Sequence, residues 1–187
     1  KLCETLVRNA TAYAVLIQPL ENGGKLADTL FNPSAVELQL LFTGTLVGKT
    51  TAGTGTELDA WTVVTNEETK EKMSGGNKNT FPVLAIVDPN FMLSVPPKFT
   101  AYQGFDALFH STESYINNTN NIMRDMLALK AIESVGQNLA TACQDGQNVQ
   151  AREKVAYGSS MSGMVMSVDN LCSEHSLEHP LSAYHHE

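Results

Sequence analysis

The sequence is poor in cysteine, with only three in 187 residues, at positions 3, 143 and 172. An odd number of widely spaced cysteines without a CxxC pair excludes a disulfide framework and a thiolate zinc site, so reduced thiols are expected. Basic residues are also few: 12 Lys and Arg stand against 20 Asp and Glu, a formal charge of −8, and no basic cluster is present. Nucleic acid is therefore excluded as an expected partner, because nothing in the chain would neutralise a phosphate backbone. Long apolar runs are missing as well. The longest, residues 12–17 and 83–87, fall far short of the ~20 residues that cross a bilayer, so no membrane partner is expected. The first residues lack the basic start, apolar stretch and small-residue cleavage pattern of a signal peptide, and a cytoplasmic location is the expectation. Two Asn-X-Thr tripeptides, at Asn9 and Asn117, come without an export signal and read as chance matches. There is no internal repeat or low-complexity tract. What the chain does have is 42% apolar residues, enough to bury a core.

The pattern changes near residue 96. Before it, short β-rich runs at 13–18, 61–65 and 83–87 are separated by Gly, Asn, Thr and Pro punctuation, including Asn22-Gly23-Gly24 and Gly75-Gly76-Asn77. After Pro96-Pro97 the turn clusters disappear and helical spacing takes over, clearest at Ile122, Met126, Leu129, Ile132, Val135 and Leu139. The expected fold is an α/β part over 1–96 followed by an all-helical part over 97–187. Thr100 with Gln103 has the form of a capping box and predicts a helix start at residue 100. Further helices are expected over 121–142, 149–168 and 172–184, the last kinked after His179 by Pro180, which lacks a backbone donor.

Two features carry chemistry. Asp106 and His110 are four apart in the predicted helix and share a face, and His175 and His179 repeat that spacing in the last helix. A mixed carboxylate and imidazole set suits Fe²⁺ or Zn²⁺ better than Mg²⁺ or Ca²⁺, which prefer oxygen shells. The same residues also fit an ordinary surface pair, since HxxxH alone is a weak pattern. The second feature is Thr50-Thr51-Ala52-Gly53-Thr54-Gly55-Thr56-Glu57, whose glycines allow close backbone approach and whose hydroxyls can donate to phosphate oxygens. It matches neither the P-loop nor the full GxGxxG pattern, and a flexible surface loop fits it equally well.

From about residue 48 onward the motifs and their order resemble the iron-containing alcohol dehydrogenase family. The Thr-rich loop is similar to that family's TTAGTGSE segment, with Thr56 in place of Ser. Lys72-Met73, Ala85-Ile86-Val87-Asp88-Pro89 and the turn Leu93-Ser94-Val95-Pro96-Pro97 follow in the family's order. Gly104-Phe105-Asp106-Ala107-Leu108-Phe109-His110 looks like its GxDAxxH segment, which Glu113 continues, and the stretch from His175 through His179 to Leu181 looks like its HxxxHxL segment.

The resemblance implies an enzyme with an N-terminal Rossmann-like part binding NAD or NADP, a helical part holding Fe²⁺ or Zn²⁺, and the reaction in the cleft between them. It implies Asp106, His110 and His175 as metal ligands and His179 as a residue lining the site that relays the alcohol proton. It implies Thr50, Thr51, Gly53, Thr54 and Gly55 as cofactor contacts, with a small alcohol or aldehyde as substrate and a homodimer or larger homo-oligomer as assembly. Gly23 and Gly24 resemble the family's pyrophosphate segment, although Lys25 replaces its Ser and the separation from the Thr-rich loop is shorter than the family's. The family's fourth ligand, a His in a PHG segment, would fall just beyond Glu187, so an incomplete chain is expected. Two other readings remain open: a relative on the same fold, of the dehydroquinate synthase or glycerol dehydrogenase type, and a non-catalytic truncated paralogue.

Overall fold

A computed structural model describes residues 13–16, 46–66, 68–77, 80–82, 84–119, 121–168 and 171–185. Five strands come first: β1 (Tyr13–Leu16), β2 (Leu46–Lys49), β3 (Thr62–Asn66), β4 (Glu71–Gly75) and β5 (Leu84–Val87). Four helices follow: α1 (Pro97–Ile116), α2 (Ile122–Gln144), α3 (Val149–Met166) and α4 (Ser173–His185). The described residues are thus mostly helical. None of their helices is long and apolar enough to cross a membrane. Of the cysteines, Cys143 and Cys172 are free thiols, and Cys3 lies outside the described residues.

The strands form two small sheets. In the first, β5 is central, antiparallel to β1 with Tyr13 opposite Val87 and parallel to β2 with Lys49 opposite Val87. Leu84, Ala85 and Val87 of this strand are buried, as befits a strand flanked on both sides. The second is an antiparallel hairpin of β3 and β4. Its side chains are largely exposed, and Lys72 ties it to α4 by donating to Glu178 Oε1 at 3.1 Å and Ser182 Oγ at 2.7 Å.

Local chemistry starts each of the first three helices. Asn121 caps α2 by accepting the Arg124 N–H, and Asn148 caps α3 by accepting the Ala151 N–H. Helix α1 starts at Pro97, three residues earlier than the Thr100 and Gln103 pattern predicts, because Pro96 and Pro97 supply extended and then helical backbone at its entry. Thr100 and Gln103 therefore serve other purposes. The Thr100 hydroxyl, inside the first turn, donates to Pro96 O and accepts from Arg152 Nη1 at 2.6 Å, while Gln103 Oε1 accepts the Ala52 N–H at 3.2 Å. Arg152 is buried and also donates to Val95 O and Gly146 O, so α3 grips the turn that leads from strands to helices. Helix α4 runs through Pro180.

The apolar residues whose spacing marks α2 are not all on its packed face. Val135 and Leu139 are buried, but Ile122, Met126 and Leu129 are exposed, and the packed face consists of Ala128, Ala131, Ser134, Val135, Leu139 and Ala142. At about 100° per residue the large side chains drift around the helix, so its first two turns present them on the side opposite the alanines. Small residues win the interface because they let helices approach closely. Ala107 of α1, Val135, Leu139 and Ala142 of α2, and Ala151, Val155 and Ala156 of α3 form one core, which Ala52, Val87 and Met92 extend to the strands.

Candidate metal and cofactor site

The Thr-rich loop leaves the end of β2 and lies across α1 and α3. Thr50, Thr51, Thr54 and Thr56 are exposed, whereas Ala52, Gly53 and Gly55 are buried. The hydroxyls therefore point outward while the glycines face the helices. Gly55 has φ +64°, and a Cβ there would lie 2.5 Å from Gly163 Cα of α3. A Cβ on Gly53 would meet Asp106 Oδ2 and Gln103 Cα, each at 3.0 Å. The close approach these glycines permit is thus to the protein's own helices. Gly23 and Gly24 lie outside the described residues.

Both ends of the loop are fixed by charge. Lys49, its preceding residue, forms an ion pair with Glu57, its last, and both are almost fully buried. Lys49 Nζ also donates to Ser159 Oγ at 3.0 Å, Ser160 Oγ donates to Glu57 Oε1 at 2.7 Å, and Ser159 Oγ donates to Gly53 O at 3.1 Å. Burial pushes the Lys49 ammonium below its ordinary pKa against the pull of Glu57. Burial likewise pushes the neighbouring Asp59 carboxyl up to about 6, against its hydrogen bond from the Trp61 N–H. Glu57 closes the Thr-rich segment, but Lys49, Ser159 and Ser160 fall in none of the motifs, so the sequence does not signal the clamp.

Three donor groups converge beneath Gly53. His110 Nε2 lies 3.4 Å from Asp106 Oδ1, and His175 Nε2 lies 3.5 Å from the same oxygen. The two imidazoles stack with centroids 4.6 Å apart, and one ligand atom from each of the three residues falls within a 4.8 Å group. Separations of 3.4 and 3.5 Å are long for hydrogen bonds. They match the spacing of about 3.4 Å between neighbouring donors around a tetrahedral ion with bonds of about 2.1 Å. His110 Nδ1 is buried without a hydrogen-bond partner among the described residues, a polar atom that the protein alone leaves unsatisfied. The residues fit a divalent transition ion. Burial holds the His110 pKa below its ordinary value although Asp106 pulls it upward. At His175 burial also acts downward, but the neighbouring carboxylates of Asp106 and Glu113 outweigh it and the pKa is raised.

Among the described residues one other group could hold an ion, Glu113 with Cys172 and Glu174, and it adjoins the first. Glu113 is fully buried on α1, and its Oε1 lies 2.5 Å from His175 Nδ1. His179 sits one turn further along α4, its ring edge-on to His175 with centroids 6.0 Å apart. It is partly exposed, and burial followed by the Lys72 charge lowers its pKa, against the opposing charge of Glu178.

Two family profiles match this chain: the Fe-containing alcohol dehydrogenase family, C-terminal, over residues 100–187, and iron-containing alcohol dehydrogenase over residues 44–89. The chain belongs to the iron-containing alcohol dehydrogenase family. Members similar to it include alcohol dehydrogenase 4 of Saccharomyces cerevisiae, 36% identical over 95% of this chain and 45% of the yeast protein. The 1,3-propanediol dehydrogenase of Klebsiella pneumoniae is 40% identical over 71% of this chain and 34% of its own length. Among solved structures, an archaeal halo-thermophilic alcohol dehydrogenase from a Red Sea brine pool, bound to NZQ, superposes with a TM-score of 0.75 at 34% identity, covering 77% of this chain and 36% of that one. The chain thus spans less than half the length of these relatives.

Proposed function

We propose that this chain is the metal-holding part of an alcohol dehydrogenase that passes hydride between NAD or NADP and a small alcohol or aldehyde. The observation that carries the reading is the convergence of Asp106, His110 and His175 at ligand spacing, with Asp106 against Gly53 of the Thr-rich loop. Asp106, His110 and His175 hold Fe²⁺ or Zn²⁺ in this reading, which when bound supplies Lewis acidity toward an alcohol or carbonyl oxygen. The exposed hydroxyls of Thr50, Thr51 and Thr54, with the Gly53 and Gly55 backbone that shapes the loop, meet the cofactor phosphates. Gly23 and Gly24 belong to the pyrophosphate contact in the same reading. Hydride transfer to or from the nicotinamide is the cofactor's chemistry, and the protein's part is to orient it and exclude water.

His179 lies outside the three-ligand group, beside His175 and partly exposed, so in this reading its imidazole takes up the alcohol proton and passes it toward solvent. The domain division follows from the same reading: residues 1–96 contribute to the nucleotide-binding part and 97–187 to the metal-binding part. A cytoplasmic, homodimeric or larger enzyme completes it, to be checked by cell fractionation and sedimentation.

The experiment is metal analysis of the purified full chain together with aldehyde-dependent oxidation of NADH and NADPH. Bound iron or zinc with turnover is the expected result, and a well-folded protein with neither would refute the reading in favour of a non-catalytic paralogue. The variant Asp106→Ala should lose the metal and keep its fold. Full metal occupancy in Asp106→Ala would overturn the ligand assignment.

A further inference from the structure

Glu113 is a buried carboxylate that the proposed reaction does not use directly. It lies on α1 three residues after His110 and seven after Asp106, so all three occupy one face of the helix. Among the described residues, the hydrogen bonds of its carboxylate run to the start of α4. Oε2 accepts the Cys172 N–H at 2.5 Å, and Oε1 accepts the His175 N–H at 3.2 Å and faces His175 Nδ1 at 2.5 Å. The first N–H groups of a helix have no partner within it, and a carboxylate there satisfies them and complements the helix dipole. Glu113 therefore caps α4 from another helix and grips the imidazole of the third residue of α4 with the same group.

That double contact has a consequence for the metal. An acceptor at Nδ1 requires the proton to sit there, which leaves the lone pair on Nε2, the nitrogen 3.5 Å from Asp106 Oδ1. A carboxylate behind a ligand imidazole also raises its basicity and fixes the ring plane. We propose that Glu113 is the positioning residue of the metal site, locking α4 in place and committing His175 to bind through Nε2. The inference rests on the metal-site reading above and goes beyond it in assigning a role to a residue outside the ligand set.

The test compares the wild-type full chain with Glu113→Gln by chelator competition for Zn²⁺. It is paired with long-range ¹H–¹⁵N spectra of the zinc-loaded wild type. Glutamine cannot serve both contacts, because its amide nitrogen would face either the Cys172 N–H or the His175 Nδ1–H, donor against donor. We expect affinity to fall by about 10- to 100-fold, the usual cost of losing such a partner. The spectra should show His175 metal-bound at Nε2 and protonated at Nδ1. A wild type that binds no zinc would remove the metal reading and this inference together. A wild type that binds zinc while Glu113→Gln stays within threefold of it would overturn the positioning role alone, leaving Glu113 a helix cap. Should Glu113→Gln fail to fold, the wild-type spectrum decides: metal on Nδ1 overturns the proposal, and metal on Nε2 with a proton held on Nδ1 supports it.

Discussion

Replacing Lys49 by Met removes one partner of a buried ion pair and leaves the other in place. Lys49 and Glu57 are 4% and 2% exposed, so neither charge is relieved by solvent. The pair is supplemented by Ser159 and Ser160, which satisfy part of the hydrogen-bonding capacity of each group. In Lys49→Met the Glu57 carboxylate keeps only the Ser160 hydroxyl among these partners and must remain charged without a cation or take up a proton. Breaking such a pair costs about 3–5 kcal/mol, whereas replacing both partners by groups of similar shape is often neutral or better. Lys49→Met should therefore destabilise by about 3 kcal/mol or more, and Lys49→Met with Glu57→Leu should recover most of that loss. The assay is urea denaturation of the wild type, both single variants and the double variant, which yields the coupling energy directly. Because the pair anchors both ends of the Thr-rich loop, Lys49→Met should also raise KM for the nicotinamide nucleotide more than it lowers kcat. A loss below 1 kcal/mol in the single variant, or strictly additive losses in the double, would refute the clamp.

Two further predictions follow from buried charge elsewhere. The Asp59 carboxyl is raised from 3.8 to about 6, so the folded state favours its protonated form. Its contribution is fully present below pH 3.8 and is lost as pH rises through 6. Asp59→Asn keeps an oxygen for the Trp61 N–H and should gain stability relative to wild type between pH 4 and 7.5, by at most about 3 kcal/mol. A difference between the two proteins that stays flat with pH would contradict this. Arg152→Met should cost about 3 kcal/mol in urea denaturation, because Val95 O and Gly146 O lose a charged donor inside the protein. Retention of wild-type stability would show that this grip on the turn is dispensable.

The helices were legible because their starts and spacing are local. Expected spans of 121–142, 149–168 and 172–184 correspond to Ile122–Gln144, Val149–Met166 and Ser173–His185. The strand runs at 13–18, 61–65 and 83–87 correspond to β1, β3 and β5. Strand β4 was not legible, since Glu71, Lys72 and Ser74 have low strand propensity and its pairing with β3 is settled across the hairpin. Nor was β2, four residues that gain their identity from the neighbouring β5. The spacing of the large apolar residues gave helix α2 but not its packed face, because closer packing by small residues such as Ala128 and Ala131 decides which side is buried. In the site, Asp106, His110, His175 and His179 were visible by their spacing. The sequence places Glu113 at the end of the Asp106–His110 segment but not its role, and it does not mark Lys49 or Ser159, because Glu113 meets Cys172 across 59 positions and Lys49 meets Ser159 across 110.

The placement of Gly53 links the two halves of the proposed chemistry. Its position is fixed from three directions, by the Ser159 hydroxyl on its carbonyl, by the Gln103 contact to the preceding Ala52 N–H, and by α1 at its Cα. Asp106 Oδ2 lies where a Cβ on this residue would contact it at 3.0 Å. A side chain at position 53 would push the loop away from α1 or the carboxylate away from the imidazoles. In an enzyme that passes hydride between a nucleotide on the loop and a substrate near Asp106, such a shift changes the distance on which the reaction depends, and misplacement by an ångström can cost a hundredfold in rate. The glycines of the Thr-rich loop thus do their work mainly by what they omit on the protein side, while Thr50, Thr51 and Thr54 stay exposed, on the side where the proposed function puts the cofactor.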